Sequence, residues 1–409
     1  MEVEEKTIQR PRRSYILLLS ANMTWIFGVF LYSNFIGLYM REALGANSVQ
    51  VGYWSTVFLL SVILFIGLGG VLTAKIGEKK TMILSWLVII PAPLIYLFSP
   101  SWHFVLIGAF LEGASMLAAA PIGSYITSLS GGSRRGRAFA GSSAAIALGG
   151  IPGPALGGVI ITLFGYSLVF LTSLILFIVS TILVLPISPI PTTKEERAQR
   201  RSWDFFKNRV FIVLTIFWFT VGTMFWIANM FVPLFLFDRW GLTEAQIGVF
   251  GSIRNASGAI LSPLLGWVGD RWSYIGVLVL PVLGTFGFYG LLVISPSVAF
   301  LPLIYALSGL IHCFSLNTAV LSHNIPRGQL ADALASYNII ARLLSPVSPI
   351  IGGVAYSFSP SLPLVITSVL IPIPLALLFF LQRAERHTKK HKQAPEEDLK
   401  PIPVEELHP

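Results

Sequence analysis

The sequence predicts an all-α integral membrane protein with twelve transmembrane helices in two pseudo-symmetric six-helix bundles. Three observations carry this. The first is composition: 54% of the 409 residues are hydrophobic and 11% are charged. Soluble domains carry about a quarter charged residues, so this chain lacks the polar groups to cover a water-facing surface. The second is that the apolar runs are long and do not alternate. Inside a bilayer the backbone must be satisfied within a helix or a closed barrel, and unalternating runs of about 20 residues select the helix. The third is an internal repeat at an offset of 195 or 196 residues.

Polar and Pro/Gly-rich punctuation sets the elements in order. A tail, 1–14, ends in the basic cluster RPRR and leads into an apolar run too long for a signal peptide, so 15–39 is read as an uncleaved first span. Spans 2 to 6 follow at 50–74, 81–99, 102–128, 137–163 and 166–188, completing an N-terminal bundle over 15–188. The longest polar interruption, the central loop 189–209, then divides the chain. Spans 7 to 12 are placed at 210–237, 245–269, 275–294, 297–323, 331–356 and 361–381, a C-terminal bundle over 210–381. The tail 382–409 has a basic block and then a Pro/Glu-rich block, which reads as a disordered extension. Trp203, Phe205 and Phe206, among the basic residues of the central loop, suit either a helix lying on the membrane surface or an aromatic anchor for span 7.

An even number of spans puts both tails on one side. Of the 28 Lys and Arg residues, 24 fall on that side, Arg41 and Arg239 fall opposite, and Arg254 and Arg342 lie within spans. The positive-inside rule then makes both termini and the central loop cytoplasmic in a multi-pass protein of the plasma membrane. The formal net charge of +9 is a topology signal, and no nucleic-acid partner is expected. A single cysteine, Cys313, excludes a disulfide framework within the chain. The absence of a metal-ligand cluster, a phosphate-binding loop or a nucleophile–base set argues against a metal, a cofactor or an enzyme.

The repeat aligns LGANSVQVG (44–52) with WGLTEAQIG (240–248), GVLTAKIGEKK (70–80) with GWVGDRWSYIG (266–276), and GPALGG (153–158) with SPIIGG (348–353). Two six-span halves related by a parallel repeat resemble the major facilitator superfamily, whose binding site lies near the midplane between the halves. The loop after span 2 in that family reads approximately G-x-x-x-D-R-x-G-R-[KR]. Here Gly70, Lys75 and Gly77 keep part of it, with Ala74 in place of the acid, and the second half keeps Gly266, Asp270 and Arg271. The resemblance therefore implies a gating relay resting mainly on Asp270 and Arg271. In span 5, Gly149, Gly153, Pro154, Gly157 and Gly158 resemble a signature of drug and solute antiporters. The span 4 arginine expected beside that signature is absent, Ala109 standing in its place. Gly149, Gly153 and Gly157 stack on one helix face, and the neighbour expected against it is span 8, which presents Gly251 and Gly258.

Three charges fall inside spans: Glu112, Arg254 and Arg342, each about ten residues from its helix start and so roughly 15 Å deep. A charge at that depth costs about 2.5 to 3.5 kcal/mol even on lenient insertion scales, so each should face a cavity or a partner. A carboxyl in low dielectric takes up a proton more readily than in water, and a neighbouring arginine opposes this. Glu112 is therefore read as a proton-coupling candidate, with a fixed pair to Arg254 or Arg342 as the structural alternative. Two arginines against one acid favour a substrate with an anionic group. His312 is a second titratable candidate. Asn22, Trp25, Asn34, Trp226, Asn229, Asn255, Asn317 and Asn338 are candidate cavity polars and aromatics. The expected function is secondary transport of a small solute by a monomer, coupled to protons, with export by antiport slightly favoured. The alternatives are a sugar or organic-anion symporter or uniporter in which Glu112 is structural, and a non-transporting membrane sensor.

Overall fold

The computed structural model describes residues 2–189, 204–326 and 329–393, with the side chains of 2–11, 130–136, 331 and 387–393 set aside. Trp203, the basic stretch of the central loop and the end of the C-terminal tail lie outside these residues. Every regular element among the described residues is helical. Eleven segments are long and apolar enough to cross a membrane: Arg12–Ala43, Ser48–Ile76, Glu78–Leu97, Trp102–Leu129, Arg137–Phe164, Tyr166–Val184, Arg209–Trp240, Tyr274–Ile294, Val298–Asn324, Asp332–Phe358 and Leu362–Arg386. The helix Glu244–Arg271 is the twelfth and takes the place of span 8. It is equally long but more polar, because it carries Gln246 in its exposed first turn and Arg254 and Asn255 into the interior.

Two boundaries differ from expectation. The first helix begins at Glu2 and the last runs to Gln393, so parts of both expected tails continue the adjoining spans as helix. In the central loop, Phe205 is buried against Phe211 with ring centroids 5.0 Å apart, the arrangement of an anchor for span 7.

The repeat seen in sequence is reproduced residue by residue. Gly45 and Gly241 turn the chain after spans 1 and 7 at φ of 66° and 60°, where a side chain would be strained. Two residues later, Asn47 and Thr243 each close a capping box with Gln50 and Gln246, satisfying the first free N–H groups of spans 2 and 8.

The halves meet through two related pairs of spans. A Cβ on Gly158 of span 5 would strike the Glu244 backbone at the start of span 8, and one on Gly353 of span 11 would strike Ser48 at the start of span 2. Likewise Gly248 lies against the Pro154 carbonyl and Gly52 against the Pro349 carbonyl. The span 5 stripe, however, turns elsewhere. Gly149, Gly153 and Gly157 face Met23, Phe30 and Leu31 of span 1, inside the N-terminal half. Gly251 does approach Pro154, while Gly258 makes room for His312 of span 10. The stripe and Gly158 lie on different faces, and only the second face meets span 8.

The far face is the end where spans 1 and 2 join, and the near face is where span 1 begins. Hydrogen bonds between the halves run from the far face to about mid-depth. Arg41 binds Asp238 through both guanidinium nitrogens at 2.9 and 2.7 Å, Tyr166 donates to Glu244 at 3.0 Å, and Thr56 donates to the Pro346 carbonyl at 2.7 Å. Deepest is the amide of Asn255, which donates to the Gly150 carbonyl at 2.7 Å. That carbonyl is free because its usual helical donor would be residue 154, a proline without an N–H.

At the near face the motif residues do not join the halves in this conformation. Gly70 and Gly266 have open space where a side chain would stand, and Gly77 serves as a turn at φ 87°. Lys75 is exposed, Asp270 accepts a hydrogen bond from Tyr274, and Arg271 lies over Trp267 at 5.6 Å. The halves therefore grip each other on the far side only, among the described residues.

Candidate functional site

Five of the expected polar residues sit at, or within a turn of, the places where their helices leave α geometry. Asn34 lies in a turn between the two helical parts of span 1, and Asn229 opens a 3-10 turn at the related place in span 7. Span 4 tightens to a 3-10 turn at Ser115–Ala118, three residues after Glu112, and span 10 does so over Gly309–Ser315, which contains His312. Span 11 loosens around Arg342. Such breaks leave carbonyls unpaired, which a bilayer interior tolerates only where protein or water covers them.

Between the halves these breaks surround a cavity of about 440 Å³. The N-terminal wall includes Asn34, Trp54, Phe58 and Glu112; the C-terminal wall includes Trp226, Asn229, Arg254, Asn255 and His312. Glu112 is 4% exposed and accepts a hydrogen bond from the Tyr96 hydroxyl at 3.0 Å. The indole N–H of Trp54 donates to the same hydroxyl at 3.2 Å. Tyr32 packs edge-on to Tyr96, with centroids 5.6 Å apart, and its buried hydroxyl lies beside Glu112.

Arg254 stands on the other wall. Its guanidinium reaches the Asn229 side-chain oxygen at 3.4 Å and lies 5.9 Å from the ring centres of Phe225 and Phe288. The His312 ring is exposed to the cavity and seated against Gly258. The alternative, an ion pair from Glu112 to Arg254 or Arg342, is not formed: Glu112 accepts from Tyr96, while Arg254 reaches Asn229 and Arg342 turns to Asn338. The acid is held by a neutral hydroxyl, and the cation across the cavity keeps donor capacity free.

The remaining candidates separate. Arg342 is outside the cavity lining and donates back to Asn338, to its carbonyl at 3.2 Å and its side-chain oxygen at 3.1 Å. Asn317 is buried in the C-terminal half beside Tyr337 and is outside the cavity lining. Asn22 and Trp25 line a separate cavity inside the N-terminal half. Sequence reasoning missed Tyr96, which holds Glu112, and Trp54, which donates to the Tyr96 hydroxyl. Tyr96 lies at the far end of span 3, where an interfacial aromatic is ordinary. Among the described residues, no cluster of three or more His, Cys, Asp or Glu side chains could hold a metal.

Two helical halves, each repeating the other, with a cavity between them whose largely apolar wall carries a few polar and charged side chains, define a membrane transporter fold. Comparison with known proteins gives the family: the Major Facilitator Superfamily profile matches residues 18–239 and again 218–407, so the chain belongs to that superfamily. An uncharacterised MFS-type transporter of Methanocaldococcus jannaschii is 22% identical over 360 residues, covering 85% of this chain and 91% of that one. Among solved structures, a variant of the nucleoside transporter NupG superposes with a TM-score of 0.72 at 14% identity, over 91% of this chain and 99% of that one. A bacterial homologue of the human lysosomal transporter Spinster, inward-facing and unoccupied, gives 0.71 at 12% identity, over 93% and 98%. The peptide transporter POT in complex with sulfate gives 0.69 at 14% identity, over 92% and 95%. The protein is thus an MFS transporter, and not an enzyme.

Proposed function

We propose that this transporter couples the movement of a small solute to protons, with Glu112 carrying the proton and Arg254 receiving an anionic group of the solute. The observation that carries the reading is that Glu112 faces the shared cavity held by a hydroxyl and by no cation. A carboxyl can bind and release a proton there, whereas the guanidinium opposite keeps donors for a carboxylate or phosphate. His312, facing the same space, is a second group able to titrate. The resemblance of span 5 to antiporters supports exchange, with the solute moving outward. The distribution of Lys and Arg supports cytoplasmic termini in a plasma-membrane protein, so that the near face opens inward. One chain encloses the whole cavity, which supports a monomer.

Alternating access follows from the grip at the far face. Closing the near face would require Arg41 and Asp238 to part, while Gly158 and Gly353 let the spans rock on close backbone contacts. Asp270 and Arg271 would supply contacts at the near face in that second state.

One observation favours a second reading. Trp54, Tyr96 and Glu112 form a continuous hydrogen-bonded set, as expected of a structural acid in a sugar or organic-anion uniporter or symporter. Reconstituted Glu112→Gln protein separates the two. Coupling through Glu112 predicts that solute exchange without a gradient persists while proton-driven accumulation is lost. Accumulation that survives the substitution rejects Glu112 as the carrier.

A further inference from the structure

We infer that the N-terminal half holds a second binding site, for an uncharged planar solute bearing an amide-like donor and acceptor. It occupies a cavity of about 180 Å³ between spans 1, 3, 4 and 5, apart from the one shared by the halves. Asn22 and Ser142 are 6% and 7% exposed, yet neither side chain makes a hydrogen bond among the described residues. Buried polar groups are normally paired, so two open onto one cavity point to an occupant.

The rest of the wall limits what that occupant can be. Ser85 and Ser115 have spent their hydroxyls on the Ser115 and Glu112 carbonyls, and the Trp86 indole N–H is given to Ser180. Trp86, its N–H spent, and Trp25 both border the cavity, and such side chains suit a flat ring. The wall contains no acid, base or histidine, so a charged ligand would enter without compensation. The Asn22 amide offers a donor and an acceptor side by side, the complement of another amide. Ala119 and Ile146 on the wall are exposed and give a route of entry. An occupant rests against the 3-10 turn Ser115–Ala118 that follows Glu112.

The probe is benzamide, with benzoate as its charged counterpart, titrated against purified full-length protein in detergent and followed by ligand-observed NMR and calorimetry. Benzamide is expected to bind saturably and benzoate not at this site. Asn22→Leu should weaken benzamide binding about tenfold or more, since a buried amide partner is lost. Ser142→Ala, which removes a single oxygen, should weaken it severalfold, and Arg254→Ala should leave it unchanged. If Asn22→Leu fails to fold, Asn22→Ser with Ser142→Ala carries the test. Wild-type affinity in both of those variants overturns the site. So does the absence of saturable binding, which would leave water alone in the cavity, or loss of binding in Arg254→Ala.

Discussion

The Tyr96 hydroxyl donates to Glu112 Oε2 at 3.0 Å and ties the one described carboxylate of the central cavity to the aromatic cluster of the N-terminal half. Tyr96→Phe keeps the ring between Tyr32 and Phe170 and removes the donor to Glu112 together with the acceptor of the Trp54 indole N–H. A hydrogen bond is worth about 0.5 to 1.5 kcal/mol net, and two are lost with the hydroxyl, so the folded variant should lose about 1 to 3 kcal/mol in denaturation experiments. Its transport in proteoliposomes should show a displaced pH profile. An unchanged profile would mean that Tyr96 does not tune the proton step.

Arg41 and Asp238 join spans 1 and 7 at the far face, and Tyr356 adds a 2.6 Å hydrogen bond to the same carboxylate. Both charges are partly exposed, so the pair's value to stability is about 1 kcal/mol or less. Its larger effect is on the balance of conformations. Arg41→Glu should slow transport by destabilising far-face closure, and Arg41→Glu with Asp238→Arg should recover most of it. A double-mutant cycle that shows only additive losses would refute the coupling.

Neighbouring glycines in span 5 should have different phenotypes. A Cβ on Gly157 would meet the Leu31 backbone within one half, whereas a Cβ on Gly158 would meet Glu244 of the other half. Gly157→Ala should therefore reduce the yield of folded protein. Gly158→Ala should leave yield near wild type and lower transport per folded molecule. Size-exclusion profiles and uptake normalised to folded protein read the two effects separately, and identical phenotypes would contradict this division.

The two intramembrane arginines should likewise part company. Arg254 lines the central cavity and Arg342 turns back to Asn338. An anionic solute that raises the melting temperature of the wild type should lose that effect in Arg254→Ala and retain it in Arg342→Ala. The reverse pattern would move the anion site to span 11.

Asn255 caps the carbonyl that Pro154 leaves free. Asn255→Ala should destabilise the far-face-closed state by about 1 to 3 kcal/mol, the cost of an unpaired buried acceptor. Trypsin or cysteine-labelling assays that report far-face opening should show a larger open fraction, and an unaltered fraction would show that water replaces the amide.

Much of the architecture was legible because it depends on local pattern. Runs of apolar residues and the punctuation between them located twelve spans. The repeat at 195 or 196 residues announced two related halves, and Asn47 with Gln50 and Thr243 with Gln246 show that it extends to the helix caps. Of the three charges within spans, each expected to face a cavity or a partner, Glu112 and Arg254 do face one cavity. Rotation and partnership were not legible. A helix face can be read from its own sequence, but which neighbour meets it depends on how twelve helices pack. For that reason the Gly149, Gly153 and Gly157 stripe was assigned to span 8 when it faces span 1, and Asn22 and Trp25 were grouped with a cavity they do not line. The same limit hid Tyr96 as the partner of Glu112. Sequence by itself determined the solvent, the number of spans and the duplication, because hydropathy and periodicity act within each segment. Only the tertiary structure decided which charges share a cavity and which pair elsewhere, because those contacts join residues far apart in the chain.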